Sequence, residues 1–114
     1  MWTLALYLVL YGWKNTRSWL FIDDCCIAIE KLIKTKDAIN QIINIGSNDE
    51  KKVIDVAKVI LIELGIKKKI IKKSAPLGSA KRRMPNISKL KKIINWYPKT
   101  KIQDGIRKTI KLVK

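Results

Sequence analysis

Short apolar runs of strand length alternate along this chain with segments of helical period, and that alternation limits the fold to an α/β class. Arg17 to Ile22 carries Trp19, Leu20, Phe21 and Ile22 and has the pattern of a buried strand. Asp23 and Asp24 follow as N-cap carboxylates, ahead of Ile27, Ile29, Leu32 and Ile33 at broadly helical spacing. A turn at Asp37 to Gln41 leads to a second expected strand, Ile42 to Ile45, which ends at Gly46. The loop 47–50 enters a helix whose apolar residues run from Val53 to Leu64, with Gly65 as its C-cap. Lys69 to Lys72 forms a third strand, and helices at Ser88 to Ile94 and Lys101 to Val113 flank the turn Trp96-Tyr97-Pro98. Nothing repeats, and no low-complexity linker divides the chain.

The opening run, Met1 to Tyr11, is apolar but too short for a membrane span, which needs about 20 residues. It also lacks the leading positive charge and small-residue cleavage site of a signal peptide, so it is expected to be a buried strand or junction sequence, with no membrane partner.

Charge narrows the function. The chain has 25 Lys and Arg against 9 Asp and Glu, a net charge of +16, which points to an anionic partner. A nucleic acid bound along a basic face and a phosphate-bearing small molecule held by a few side chains are the two classes to weigh. Only four of the cations are Arg (Arg17, Arg82, Arg83 and Arg107), and the Lys surplus accompanies 20 Ile. A joint excess of Lys and Ile decorates every solvent face without marking a site. Diffuse Lys and the lack of an aromatic stacking platform speak against a small basic nucleic-acid-binding module. With no His, Ser-His and Cys-His nucleophile pairs and the usual zinc sets are excluded, and no metal is expected. Cys25 and Cys26 are neighbours inside an apolar run and point about 100° apart on a helix, which fits a reducing cytoplasm.

Arg82 and Arg83 stand in the long irregular stretch from Ser74 to Pro85, where Gly78 and the prolines fix the backbone. Loops of that length are functional or disordered, and paired guanidiniums offer forked donors that match phosphate oxygens. The plain alternative is a solvated pair on a surface loop. Arg17, at the opening of the first expected strand, has a structural alternative in an ion pair with Asp23 or Asp24. Tyr97 and Lys101 have Tyr-x-x-x-Lys spacing, but Pro98 places Tyr97 in a turn and argues against a catalytic pair. The five glycines are isolated, so the Gly-rich dinucleotide-binding loop is absent.

Four blocks in order resemble the C-terminal region of the extended short-chain dehydrogenase/reductase family, the NAD-dependent epimerases and dehydratases. They are Thr16 to Asp24, Asn44-Ile45-Gly46, Lys81 to Lys89, and Trp96-Tyr97-Pro98-Lys99 with Gly105 to Ile110. The run Asn44 to Val56 is most similar to dTDP-glucose 4,6-dehydratases, and Arg82 to Ile87 to UDP-glucuronate decarboxylases and UDP-sugar epimerases. The resemblance implies the substrate-binding part of an extended Rossmann-type protein, with short strands and about four helices. Residues 1–10 would be a divergent junction and 11–114 the substrate-binding domain, the Rossmann cofactor half being absent. It further implies that Arg17, Arg82 and Arg83 hold the diphosphate of a UDP- or dTDP-sugar, while Asp24, Gly46 and the Trp-x-Pro turn are structural. NAD is the cofactor of complete relatives, which are usually homodimers. The cofactor loop and catalytic Tyr-Lys pair would lie upstream, so this chain has no catalytic residue, binds no cofactor alone and is expected to be inactive without a separate or upstream Rossmann half. Departures from the family pattern are a Gly12-Trp13-Lys14 turn one residue short of Gly-Asp-Gly, Asn95 where Gly is usual, and Val53 where a capping polar residue is common, at a cost of about 1 kcal/mol.

Overall fold

The structure, a computed structural model, describes residues 7–113. In chain order the elements are β1 (Tyr7–Tyr11), β2 (Thr16–Ser18), α1 (Ile22–Ile33), a 3-10 turn at Lys36–Ala38, β3 (Glu50–Lys52), α2 (Val53–Leu64), β4 (Lys69–Lys73), β5 (Arg82–Arg83), α3 (Ser88–Ile94) and α4 (Ile102–Val113). The class is α/β, with four helices among the described residues and short strands, as the patterning implied. Residues 1–6 of the opening run lie outside the described residues.

Two small sheets organise the chain. β1 pairs in parallel with β4, and β2 lies between antiparallel β3 and parallel β5. The strand expected at Arg17 to Ile22 is cut short. Strand pairing ends at Ser18; the Trp19 N–H adds one last bond in register, to the Asp49 carbonyl (3.2 Å), the Trp19 indole donates to the Lys51 carbonyl (3.2 Å), and α1 begins at Ile22.

The expected strand at Ile42 to Ile45 forms no ladder. Beyond it Ser47 meets β2 through one hydroxyl, as Ser18 Oγ donates to the Ser47 carbonyl (2.7 Å) and accepts the Ser47 N–H (3.1 Å). The neighbouring strand is Glu50–Lys52, in the stretch expected to be a loop and the start of a helix.

Asp23 and Asp24 do not cap α1. The N-cap is Phe21, without a side-chain bond, and both carboxylates lie in the first turn. There Asp24 turns inward, buried, and its Oδ2 accepts the Thr100 N–H at 3.0 Å. The helix ends follow their residues: Gly65 closes α2 at φ 65° and Asn95 closes α3 at φ 47°, both left-handed. α2 starts without a side-chain cap, consistent with Val53 and Lys52 at its entry.

The core among the described residues is small, comprising Ala28, Ile54, Val56, Ala57, Ile87 and Leu90. The accessible surface of the chain is 8818 Å², against about 6,400 Å² for a compact folded chain of this mass. The radius of gyration is 17.0 Å where about 13 Å is usual for this length. The excess is apolar in places. On α1 the residues Ile22, Cys26, Ile29 and Ile33 recur at helical spacing on the side opposite buried Asp24 and Ala28, and all four are exposed. β1 and β4 form a two-stranded parallel ribbon with Tyr7, Val9 and Tyr11 exposed, whereas parallel sheets are ordinarily covered on both faces. No helix among the described residues is long and apolar enough to cross a membrane.

Candidate anion-binding site

The β3-β2-β5 sheet separates the cations expected to act together. Parallel register sets Thr16 opposite Arg82 and Arg17 opposite Arg83. Side chains alternate along a strand and direct partners share a face, so Arg17 and Arg83 lie on one side of the sheet and Thr16 and Arg82 on the other.

Arg82 is already engaged. Its Nε donates to Glu50 Oε2 (2.6 Å) and its Nη2 to Glu50 Oε1 (3.0 Å), a forked pair, while Thr16 Oγ1 donates to the same Oε2 at 2.7 Å. These donors, Arg82 first and Thr16 second, hold the Glu50 carboxyl at about 2, well below the usual carboxylate range, and the carboxylate raises the Arg82 guanidinium in turn. Arg82 is therefore paired, although its side chain remains exposed.

Arg17 and Arg83 differ from it. Arg17 Nη1 donates to the carbonyl of Thr16 at 2.7 Å, and neither arginine forms an ion pair among the described residues. Asp24, offered by the sequence as a partner for Arg17, is turned to Thr100 instead. Arg17 and Arg83 line a cleft of about 510 Å³ together with Asn44, Gly46, Met84 and Pro85. Gly46 is needed there by close approach, since a Cβ on it would collide with the Pro85 ring. Asn44 Nδ2 donates to the Asn86 carbonyl at 3.4 Å and closes the same wall.

Arg82 and Arg83, expected in an irregular stretch from Ser74 to Pro85, form strand β5, and the loop that precedes them is tied at both ends to residues about the β1-β2 turn. The Gly12 N–H donates to the Lys73 carbonyl (3.0 Å), and the Thr16 N–H to the Lys81 carbonyl (2.9 Å). Between those ties Leu77 is fully open to solvent and Gly78 is exposed.

Arg107 belongs elsewhere, bridging α4 to α2 through Glu63 (3.0 Å) and reaching Asp104 at 3.5 Å. Tyr97 lies in the turn before α4, outside any helix, with the ammonium groups of Lys91 and Lys99 over its ring at 4.7 and 5.2 Å. Lys72 and Lys14 cover Trp13 similarly at 4.5 and 5.0 Å. These rings have cations against them and do not form an open stacking platform for nucleobases. Among the described residues no group of three or more His, Cys, Asp or Glu could hold a metal ion.

Sequence reasoning missed Glu50, assigning it to a loop with no role. The available signal was an acidic residue beginning the charged run Glu50-Lys51-Lys52 in a chain poor in carboxylates.

The family model described as GDP-mannose 4,6 dehydratase matches residues 5–109. The chain belongs to that family. Within the GDP-mannose 4,6 dehydratase family and its kin, the chain is 34% identical over 112 residues to UDP-N-acetyl-alpha-D-glucosaminuronate decarboxylase of Bacillus cytotoxicus, covering 90% of this chain and 34% of that protein. The solved dTDP-glucose 4,6-dehydratase from Bacillus anthracis, in complex with NAD, superposes with a TM-score of 0.79 at 33% identity, over 92% of this chain and 33% of that one. UDP-glucuronic acid 4-epimerase from Bacillus cereus, in complex with UDP-glucuronic acid and NAD, shares the fold with a TM-score of 0.81 at 24% identity, over 95% of this chain and 36% of that one. The chain thus spans about a third of the length of the relatives it matches. The NAD-dependent epimerase/dehydratase resemblance, the Rossmann-type kinship and the likeness to nucleotide-sugar enzymes all stand, and nothing in these matches favours a nucleic-acid binder.

Proposed function

We propose that this chain is the nucleotide-sugar-binding portion of an NAD-dependent dehydratase or epimerase, and that Arg17 and Arg83 hold the diphosphate of a UDP- or dTDP-sugar. The observation that carries this reading is the pair of guanidiniums, register partners without ion pairs, on the wall of one cleft. Each charge-assisted hydrogen bond from such a donor to a phosphate oxygen contributes about 1.5 to 3 kcal/mol. Arg82 supports the site from the other face of the sheet through Glu50.

Oxidation at the sugar by NAD requires groups that these 114 residues do not supply, since they contain neither a Gly-rich cofactor loop nor a Tyr-Lys pair on a helix. We assign the chemistry to a Rossmann half, upstream or separate, that covers the exposed apolar face of α1 and the β1-β4 ribbon. In this reading residues 11–114 are the substrate-binding domain, residues 1–10 its junction, and the complete assembly a cytoplasmic homodimer. The unpaired Cys25 and Cys26 accord with that compartment. Alone, the chain binds nucleotide and turns nothing over.

Calorimetry with UDP and dTDP tests the site. Arg17→Ala and Arg83→Ala should each weaken binding about 10-fold or more, in keeping with a lost charge-assisted bond. Unchanged affinity in both variants overturns the reading, as does turnover of a nucleotide sugar with NAD by the purified chain.

A further inference from the structure

Strand β5 is two residues long and follows an exposed loop, yet it has to present Arg83 at a fixed place beside Arg17. Two rungs of parallel ladder are little to hold it, and the neighbourhood is self-repelling, with Lys81 before the edge strand, Arg82 and Arg83 on it, and Arg17 on the central strand beside it. Glu50 is the carboxylate that meets one of them, Arg82. It sits on β3, on the far side of β2 from β5, and its two oxygens take donors from both other strands. The Glu50 and Arg82 side chains together bridge over β2, on the face opposite Arg17 and Arg83.

We propose that Glu50 is a positioning residue: by holding the Arg82 fork and the Thr16 hydroxyl together, it pins β5 to β2 and thereby sets Arg83 beside Arg17. The proposal rests on the diphosphate reading for its functional consequence and on the sheet geometry for its structural one. It also assigns different duties to two adjacent arginines. Arg82 is the strand's anchor and Arg83 the ligand's donor, because a residue step of one along a strand reverses the face.

Electrostatics and positioning predict opposite signs when Glu50 is neutralised. Glu50→Gln adds one positive charge to the region, so a purely electrostatic role gives tighter UDP binding. Positioning gives weaker binding, because the forked pair is lost and β5 comes free. We expect Glu50→Gln to lower UDP affinity about 10-fold, an effect the size of a lost charge-assisted bond. Arg82→Lys, which keeps the charge without the fork, should behave alike. The exchange Glu50→Arg with Arg82→Glu rebuilds the pair with its direction reversed and should recover most of the affinity.

Binding by calorimetry is read together with hydrogen exchange at the Arg82 Nε–H and at the β2 and β5 amides. In the parent chain the Nε–H should be protected, and in Glu50→Gln that protection should vanish and the strand amides should exchange faster. Tighter or equal UDP binding by Glu50→Gln, with the parent chain binding normally, overturns the positioning role and leaves the Arg17 and Arg83 reading standing. A parent chain that binds no UDP overturns that reading, and the exchange data then decide whether the strap exists. Unchanged strand exchange in Glu50→Gln refutes it. Should Glu50→Gln fail to fold, the exchanged pair and Arg82→Lys carry the same comparison, and failure of the exchanged pair to regain affinity above Arg82→Lys counts against the proposal.

Discussion

Asp24 and Thr100 are joined across 76 residues by one hydrogen bond, from the Thr100 N–H to Asp24 Oδ2 at 3.0 Å. The bond ties the first turn of α1 to the segment that leads into α4, and Asp24 is buried where it makes it. Asp24→Ala should strand that N–H and destabilise the chain by about 1–3 kcal/mol, read as a lower urea midpoint. Asp24→Asn retains an acceptor oxygen and should cost less.

Gly46 and Pro85 make the second prediction. A methyl group at residue 46 meets the proline ring two residues beyond Arg83, so relief requires the loop to move. Gly46→Ala should cost about 1–3 kcal/mol, the usual range for overpacking, and weaken UDP binding at the same time. Thermal unfolding and calorimetry on one sample check both effects.

Glu50 gives the chain a specific acid dependence. Its carboxyl lies at about 2 in the folded state against an ordinary value of 4.5, so its contribution to stability is complete above about 4.5 and is lost as pH falls toward 2. Glu50→Gln removes that dependence. The stability difference between parent and variant should be constant from pH 7 to 5 and shrink steadily below 4.5, as measured by urea unfolding at each pH.

The uncovered stripe on α1 should make the isolated chain self-associate at micromolar concentration. Ile29→Lys with Ile33→Lys places charge on 45% and 80% exposed positions and should suppress association. Stability should change by no more than about 0.5 kcal/mol per site. Sedimentation velocity and thermal midpoints measure the two outcomes.

The helices were legible where periodicity and end residues agreed. Val53 to Leu64 with Gly65, and Ser88 to Ile94 with Asn95, follow from apolar spacing and a left-handed stop. The strands were harder to read. Trp19, Leu20 and Phe21 look like sheet because they are apolar and aromatic, but their packing is set by contacts such as that between Phe21 and Gly105, which local pattern does not encode. Glu50 to Lys52 forms a ladder despite three charged residues, because Ser18 and Trp19 fix its neighbours. At the site, the chemistry of Arg17, Arg82 and Arg83 was visible in the residue types. Which two face the cleft depends on the β2-β5 register, and the partner that takes the third lies 32 residues away.

The loop between Lys73 and Lys81 is closed like a ring, its two ends fastened to Gly12 and Thr16 a few residues apart. Ala75 lies against the Gly12 end of the clasp, and Leu77 and Gly78 at the far side are exposed. Residues added or removed around Leu77 and Gly78 change the circumference and leave the arginine address untouched, so this is the position where length can drift between lineages, or be altered by graft, while the phosphate grip stays in register.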